Sequence, residues 1–160
     1  MFAAIQNFGA EEWQVALDGD GNYAGFLEII DNYGSTPQGS LAAHYAGICY
    51  LKLGDKENAL AYLEKYDAAS GAPAEIVNAQ NLGLQADLYV DGGNYKKAAS
   101  LYRKAINECS AAGLTPYLLK KLALVEEALG NNEAAIEALQ RAKDEFGAND
   151  VDAQIARLSK

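Results

Sequence analysis

Three short stretches of this sequence follow one template. Gly54-Asp55-Lys56-Glu57-Asn58-Ala59, Gly93-Asn94-Tyr95-Lys96-Lys97-Ala98 and Gly130-Asn131-Asn132-Glu133-Ala134-Ala135 each open with a glycine that can end one helix. A short polar residue follows that can cap the next helix. Small or apolar residues then recur at helical spacing, through Leu63 and Tyr66, Tyr102 and Ala105, and Leu139 and Ala142. The glycines lie 39 and 37 residues apart. Self-similarity at such a period marks stacked helical hairpins, because one hairpin cannot bury its apolar face without a neighbour.

The rest of the chain agrees with that reading. Residues 1–18 are helical in pattern, with Phe2, Ile5 and Phe8, then Trp13, Ala16 and Leu17, broken near Gly9. Asp18-Gly19-Asp20-Gly21-Asn22 is a turn, and Tyr23 to Tyr33 resumes the helical period. After a second break at residues 34–39, Ser40 is expected to cap a helix to Leu53 that packs through Ala43, Ala46, Gly47 and Tyr50. Asp55 starts a helix expected to run to about Ala69. Leu82, Ala86 and Tyr89, then Ala98, Ala99, Tyr102, Ala105 and Ile106, line the second hairpin. Thr115-Pro116 opens the third, Thr115 as a cap and Pro116 at the first helical position. Leu119, Leu122 and Ala123 face inward before Gly130, and Ala135, Ile136, Leu139 and Ala142 after it. A last helix, from Asn149 or Asp150, sets Val151, Ile155 and Leu158 against Asp152, Gln154 and Arg157. That one-sidedness suits a cap on an exposed stack end. No strand-like alternation intervenes, so the expected fold is all-α. One domain is expected over 1–160, with N-terminal helices in 1–39, hairpins at 40–73, 79–112 and 116–149, and a capping helix at 150–160.

Composition narrows the function classes. A 160-residue chain that is 50% hydrophobic can bury a sizeable core. Against 22 acidic residues stand 13 Lys plus Arg, for a formal charge of −9. Such a chain repels phosphate backbones and anionic lipid, so nucleic acid is not an expected partner. Glu11, Glu12, Asp18, Asp20, Glu28 and Asp31 all precede the first basic residue, Lys52. They read either as a solvated face or as an acidic docking surface. Cys49 and Cys109 form no metal-like cluster and sit among apolar neighbours, so buried thiols are expected. No run is long and apolar enough to insert in a bilayer, and Met1 to Leu17 has no signal-peptide pattern. The helix face begins abruptly at Met1-Phe2-Ala3-Ala4-Ile5, which reads as the trimmed end of something longer.

The combined pattern resembles the tetratricopeptide repeat family. The residues that carry it are Gly47, Tyr50, Gly54-Asp55 and Ala59; Ala86, Tyr89, Gly93-Asn94-Tyr95, Ala98, Tyr102 and Ala105; and Ala123, Gly130-Asn131, Ala135 and Ala142. The family period is close to 34 residues, so the spacings here imply lengthened loops between hairpins. Gln85 and Glu126 depart from it, standing where the family is usually apolar. Near the N-terminus, Trp13-Gln14-Val15-Ala16-Leu17 and Gly21-Asn22-Tyr23-Ala24-Gly25-Phe26 compete as the entry of a second helix. The resemblance implies an α-α superhelix and a non-catalytic protein-binding scaffold. More narrowly, Phe26 to Tyr33 with Ser35-Thr36, Gly39 and Leu41-Ala42 resembles bacterial envelope tetratricopeptide proteins. That implies a place at the periplasmic face of the inner membrane, through an upstream anchor, in assembly or translocation of exported proteins. A cytoplasmic scaffold is the alternative.

First helices of tetratricopeptide hairpins line a concave groove, so the resemblance assigns a partner-binding surface. With Ala43, Ala46, Gly47 and Tyr50 inward, Leu41, His44, Ile48, Leu51 and Lys52 fall on the groove side of the first hairpin. Asp87 and Asp91 do so on the second, and Tyr117, Lys120 and Leu124 on the third. A groove both apolar and charged suits a peptide or a partner's helix; the chain's own loops or N-terminal helices are the competing occupants. The family's clamp for C-terminal carboxylates needs Lys and Asn where this chain has His44, Ile48, Gly83 and Asp87, and only Lys120 fits.

Catalytic and metal chemistry find little support. His44 is the lone histidine and has no Ser, Cys or Asp at a useful spacing. Residues 18–22 hint at a calcium loop, but Tyr23 stands where that loop needs Gly and Ile29 where it needs Glu. No cofactor, metal or catalytic residue is therefore expected. A self-assembly module forming homo-oligomers and a small metal-binding or hydrolytic domain are the rival readings.

Overall fold

The computed structural model describes all residues except Ser110 and Ala112, and of Ala72 and Pro73 it describes the backbone alone. Among the described residues there are ten α-helices and no strand, only an isolated bridge between Gly19 and Ala24. The fold is all-α. The chain divides into two compact units, Met1–Ala69 and Ser70–Lys160.

The first unit holds α1 (Phe2–Gly9), α2 (Trp13–Asp18), α3 (Phe26–Tyr33), α4 (Pro37–Lys52) and α5 (Lys56–Leu63). Helices of six to eight residues are marginal by themselves and need tertiary packing. Aromatic side chains supply it. Phe8 meets Trp13 and Tyr45 edge-on at 5.2 and 5.0 Å, and Phe26 stacks on Tyr45 at 5.4 Å. Of the two competing N-terminal registers, the one at Trp13 is a helix. At Gly21-Asn22-Tyr23 the chain turns instead, because the Asp20 carboxylate accepts the amides of Asn22 and Tyr23 at 2.9 and 2.8 Å. Helix resumes only at Phe26, three residues later than the periodicity suggests.

Two further boundaries differ. Thr36, not Ser40, caps α4, accepting the Gly39 amide at 3.2 Å. Ser40 lies inside the helix, and its hydroxyl accepts the Asp67 amide at 2.8 Å and donates to the Asp67 carbonyl at 3.1 Å. That double tie diverts the chain after α5, which ends at Leu63 rather than near Ala69.

The second unit holds α6 (Ala72–Asp91), α7 (Tyr95–Glu108), α8 (Thr115–Ala128) and α9 (Asn132–Phe146), followed by a 3-10 turn (Asn149–Val151) and α10 (Asp152–Leu158). Consecutive helices pack on one another around one core, which runs from Ala79 to Leu158. Cys109 is buried in that core and Cys49 in the first unit, both as thiols. Thr115 does not cap α8. It is the helix's first residue, and its hydroxyl donates to the Cys109 carbonyl at 2.8 Å.

All three hairpin corners share a geometry. Gly54, Gly93 and Gly130 adopt φ of +83°, +75° and +79°, a region costly for residues bearing Cβ. Asp55 and Asn94 then cap α5 and α7 through the amides of Asn58 and Lys97. At the C-terminus Val151, in the 3-10 turn, and Leu158, on α10, are buried in the core. Lys120–Asp150, Lys143–Asp152 and Arg157–Glu127 ion pairs hold the segment around them.

Candidate partner-docking groove

Helix α8 has two faces. Leu118, Leu119, Leu122, Ala123 and Val125 are buried with the core, whereas Tyr117, Lys121 and Leu124 recur at helical spacing on the other side. Tyr117 is 53% and Leu124 58% exposed, a large apolar surface for one short stripe. Opposite it α6 presents Asp87 and Asp91, one turn apart. Both carboxylates line a cleft of about 410 Å³ with Val90, Tyr102, Lys121, Leu124 and Val125.

Asp87 organises this cleft. Lys121 Nζ donates to both its oxygens at 2.6 Å, and the Tyr102 hydroxyl donates to Oδ1. The Lys121 ammonium also stands 4.6 Å from the Tyr117 ring centroid. Burial, then the bond to Asp87, push the Tyr102 hydroxyl above its usual range. Burial pulls Lys121 down, but its bonds to Asp87 and Tyr117 outweigh that and hold it high. The charged lining is thus fixed in place, while Tyr117 and Leu124 remain open to water.

Of the sequence-derived groove residues in this unit, Asp87 and Asp91 are brought together, with Leu124 on the facing wall and Tyr117 beside Lys121. Lys120 is turned elsewhere: its ammonium is held by Asp150 at 2.7 Å. Lys121 takes the place expected of it. Helical spacing alone does not choose between the two lysines, because 120 and 121 lie three and four residues from Tyr117, either side of one turn.

In the first unit α4 carries Leu41, Ile48 and Leu51 half-buried and Lys52 exposed, its ammonium 5.8 Å from the Trp13 ring. His44 is corrected: it is 3% exposed, with the rings of Tyr45 and Tyr66 at 5.7 and 5.5 Å. Desolvation lowers it to about 4, so it is neutral at physiological pH and lines no open groove.

On the opposite side of the second unit, a cleft of about 300 Å³ between α7, α8 and α9 reaches the carboxylate of Glu126. Glu126 is 1% exposed and is paired with Arg103 and with the Asn131 side chain. Gln85, the other polar residue at a usually apolar position, donates to Asn81 at 2.7 Å. Both departures are satisfied polar contacts.

Among the described residues no cluster of three or more His, Cys, Asp or Glu could hold a metal, and no helix is long and apolar enough to cross a membrane. Architecture and corner geometry define a helical-hairpin repeat protein. Tetratricopeptide repeat models match residues 42–67 and residues 84–150, together more than half of the sequence. The chain belongs to the tetratricopeptide repeat family. Such repeats generally mediate protein–protein interaction and scaffolding. No curated protein matches the sequence.

Proposed function

We propose that the protein is a non-catalytic scaffold and that the face of α6 and α8 receives a segment of a partner protein. The observation that carries this reading is the pair of exposed side chains Tyr117 and Leu124 beside a charged lining already fixed by its own contacts. Covering each would release on the order of 1 kcal/mol, given that full burial of such a side chain is worth about 1.5–3 kcal/mol. A preorganised wall loses little side-chain freedom on binding. In the first unit the proposal extends to Leu41, Ile48, Leu51 and Lys52 on α4, as a surface of that unit alone.

Co-purification from host extract tests it, comparing Leu124→Glu on α8 with Glu137→Lys on α9. Loss of bound protein in the first variant alone supports the groove. Equal retention by both would place binding elsewhere. An envelope setting rests on the resemblance of residues 26–42, and fractionation of cells producing the full-length protein tests that.

A further inference from the structure

We infer that the solvent face of α7 is a second docking strip, and that its occupant is a short acidic segment of a partner protein. Outside its buried side α7 exposes Lys96, Lys97, Ser100, Arg103, Lys104 and Asn107, and its one carboxylate is Glu108, the last residue. Arg103 is committed to Glu126. Lys97 stands 5.7 Å from the Tyr89 ring, a contact that leaves its charge in place. Among the described residues no carboxylate pairs with Lys96, Lys97 or Lys104. Three exposed cations thus share one helix face in a chain of net charge −9. Tyr102, which lines the groove cleft, lies on the other side of α7, so the strip is separate from the α6–α8 groove.

The strip is short and bounded. From Lys96 to Lys104 is about 12 Å, at about 1.5 Å per residue. Glu108 closes one end. Across the cleft from Arg103 and Asn107, the outer surface of α9 carries Glu133, Glu137, Asp144 and Glu145 against Arg141. An extended segment of about four residues covers the strip, at about 3.3 Å per residue. Its carboxylates meet the lysines within a Debye length, about 8 Å at physiological ionic strength, while more distant charges of the chain are screened. A longer polyanion, such as nucleic acid or an anionic bilayer, extends past the strip and meets the acidic surface of α9. A single exposed pair is weak, so at least two carboxylates must act together. The segment lies toward Lys97 and Lys104, and a probe at Glu137 stays outside it.

The test is a chemical-shift titration of the ¹⁵N-labelled full chain with three acetylated, amidated hexapeptides: Ser-Glu-Glu-Glu-Glu-Ser and its Gln and Lys counterparts. The Glu peptide is expected to shift amides in residues 95–108, with an apparent affinity about tenfold above the Gln peptide, as 1.4 kcal/mol corresponds to tenfold. The Lys peptide should leave those amides unmoved. The double variant Lys96→Gln/Lys104→Gln should lose the advantage, as should added salt at about 1 M, where the Debye length is about 3 Å. Lys65→Gln/Lys160→Gln, the same change of net charge at two other exposed lysines, should keep it. Equal binding of the Glu and Gln peptides, loss of the advantage in both double variants, or no response on α7 would overturn the proposal. Tighter binding of a twelve-nucleotide oligothymidylate or of phosphatidylglycerol vesicles would overturn the protein segment in favour of an extended polyanion. Broadening of residues 95–108 as the protein alone is concentrated would overturn it in favour of a second copy of the chain. The docking reading of the groove stands or falls separately, on partner capture at Leu124.

Discussion

The side-chain amide of Asn131 donates to the buried carboxylate of Glu126 at 2.9 Å. Asp55 and Asn94, at the equivalent corners, use their side chains to cap the helix that follows; Asn131 makes no such cap. The third corner exchanges a capping bond for a bond to an acid inside the fold, and Arg103 takes the other oxygen.

Breaking this arrangement should depend on which partner is removed. Arg103→Ala leaves Glu126 buried with one partner fewer. Losing half of a buried pair costs about 3–5 kcal/mol, but Arg103 is half-exposed and screened, so about 2 kcal/mol is expected. Glu126→Leu removes the charge and lets Arg103 turn to water, and should cost less. Urea denaturation gives the order; a larger loss for Glu126→Leu would mean that the pair is a net source of stability.

Two glycines separate crowding from helix propensity. A Cβ at Gly47 would lie 2.6 Å from Leu63 Cγ and 3.1 Å from the Ala59 carbonyl. Neither atom can yield easily, so Gly47→Ala should destabilise by about 1–3 kcal/mol. At Gly83 the neighbour under 3.0 Å is the Leu118 Cδ2 methyl, the far end of a flexible side chain. Alanine there gains up to about 1 kcal/mol of helix propensity, so Gly83→Ala should be neutral or stabilising. Thermal melts of the two variants are expected to move in different directions or by clearly different amounts.

His44 makes stability depend on mildly acidic pH. Its folded value of about 4 lies below the unfolded 6.5, so the unfolded chain takes the proton first. Stability present above pH 6.5 is lost as the pH falls toward 4, and the loss levels off below that. The expected total is about 3 kcal/mol. His44→Phe should flatten the profile between pH 6.5 and 4; an unchanged slope would show that other groups carry it.

The C-terminal closure should rest on apolar contact more than on its ion pairs. Leu158 is buried in the core, and Leu158→Ala should cost about 2 kcal/mol. Arg157→Ala, which removes a surface pair to Glu127, should shift the melting midpoint much less. High salt, which screens surface pairs, should likewise have little effect.

The hairpins were legible because their corners depend on local chemistry. A left-handed glycine followed by Asp or Asn needs no tertiary contact to be recognised. Boundaries set by particular side-chain contacts were not legible: Ser40 is tied to Asp67, twenty-seven residues on, Thr115 to the Cys109 carbonyl, and Tyr23 to the Asp20 carboxylate. The groove was half legible for the same reason. Helical phase placed Tyr117 and Leu124, but choosing Lys121 over its neighbour required Asp87, thirty-four residues earlier. His44 looked like a surface residue because a polar side chain on a first helix usually is one. The two tyrosine rings that enclose it come from its own neighbour and from the segment after α5.

The most direct test of the groove as a docking surface is site-specific photo-crosslinking, with benzoylphenylalanine at Leu124 on α8 and, as a control, at Glu137 on α9. The account predicts a discrete protein adduct at Leu124 that excess unmodified protein competes away, and background labelling at Glu137. Equal adducts at both positions, or labelling at Glu137 alone, would contradict it.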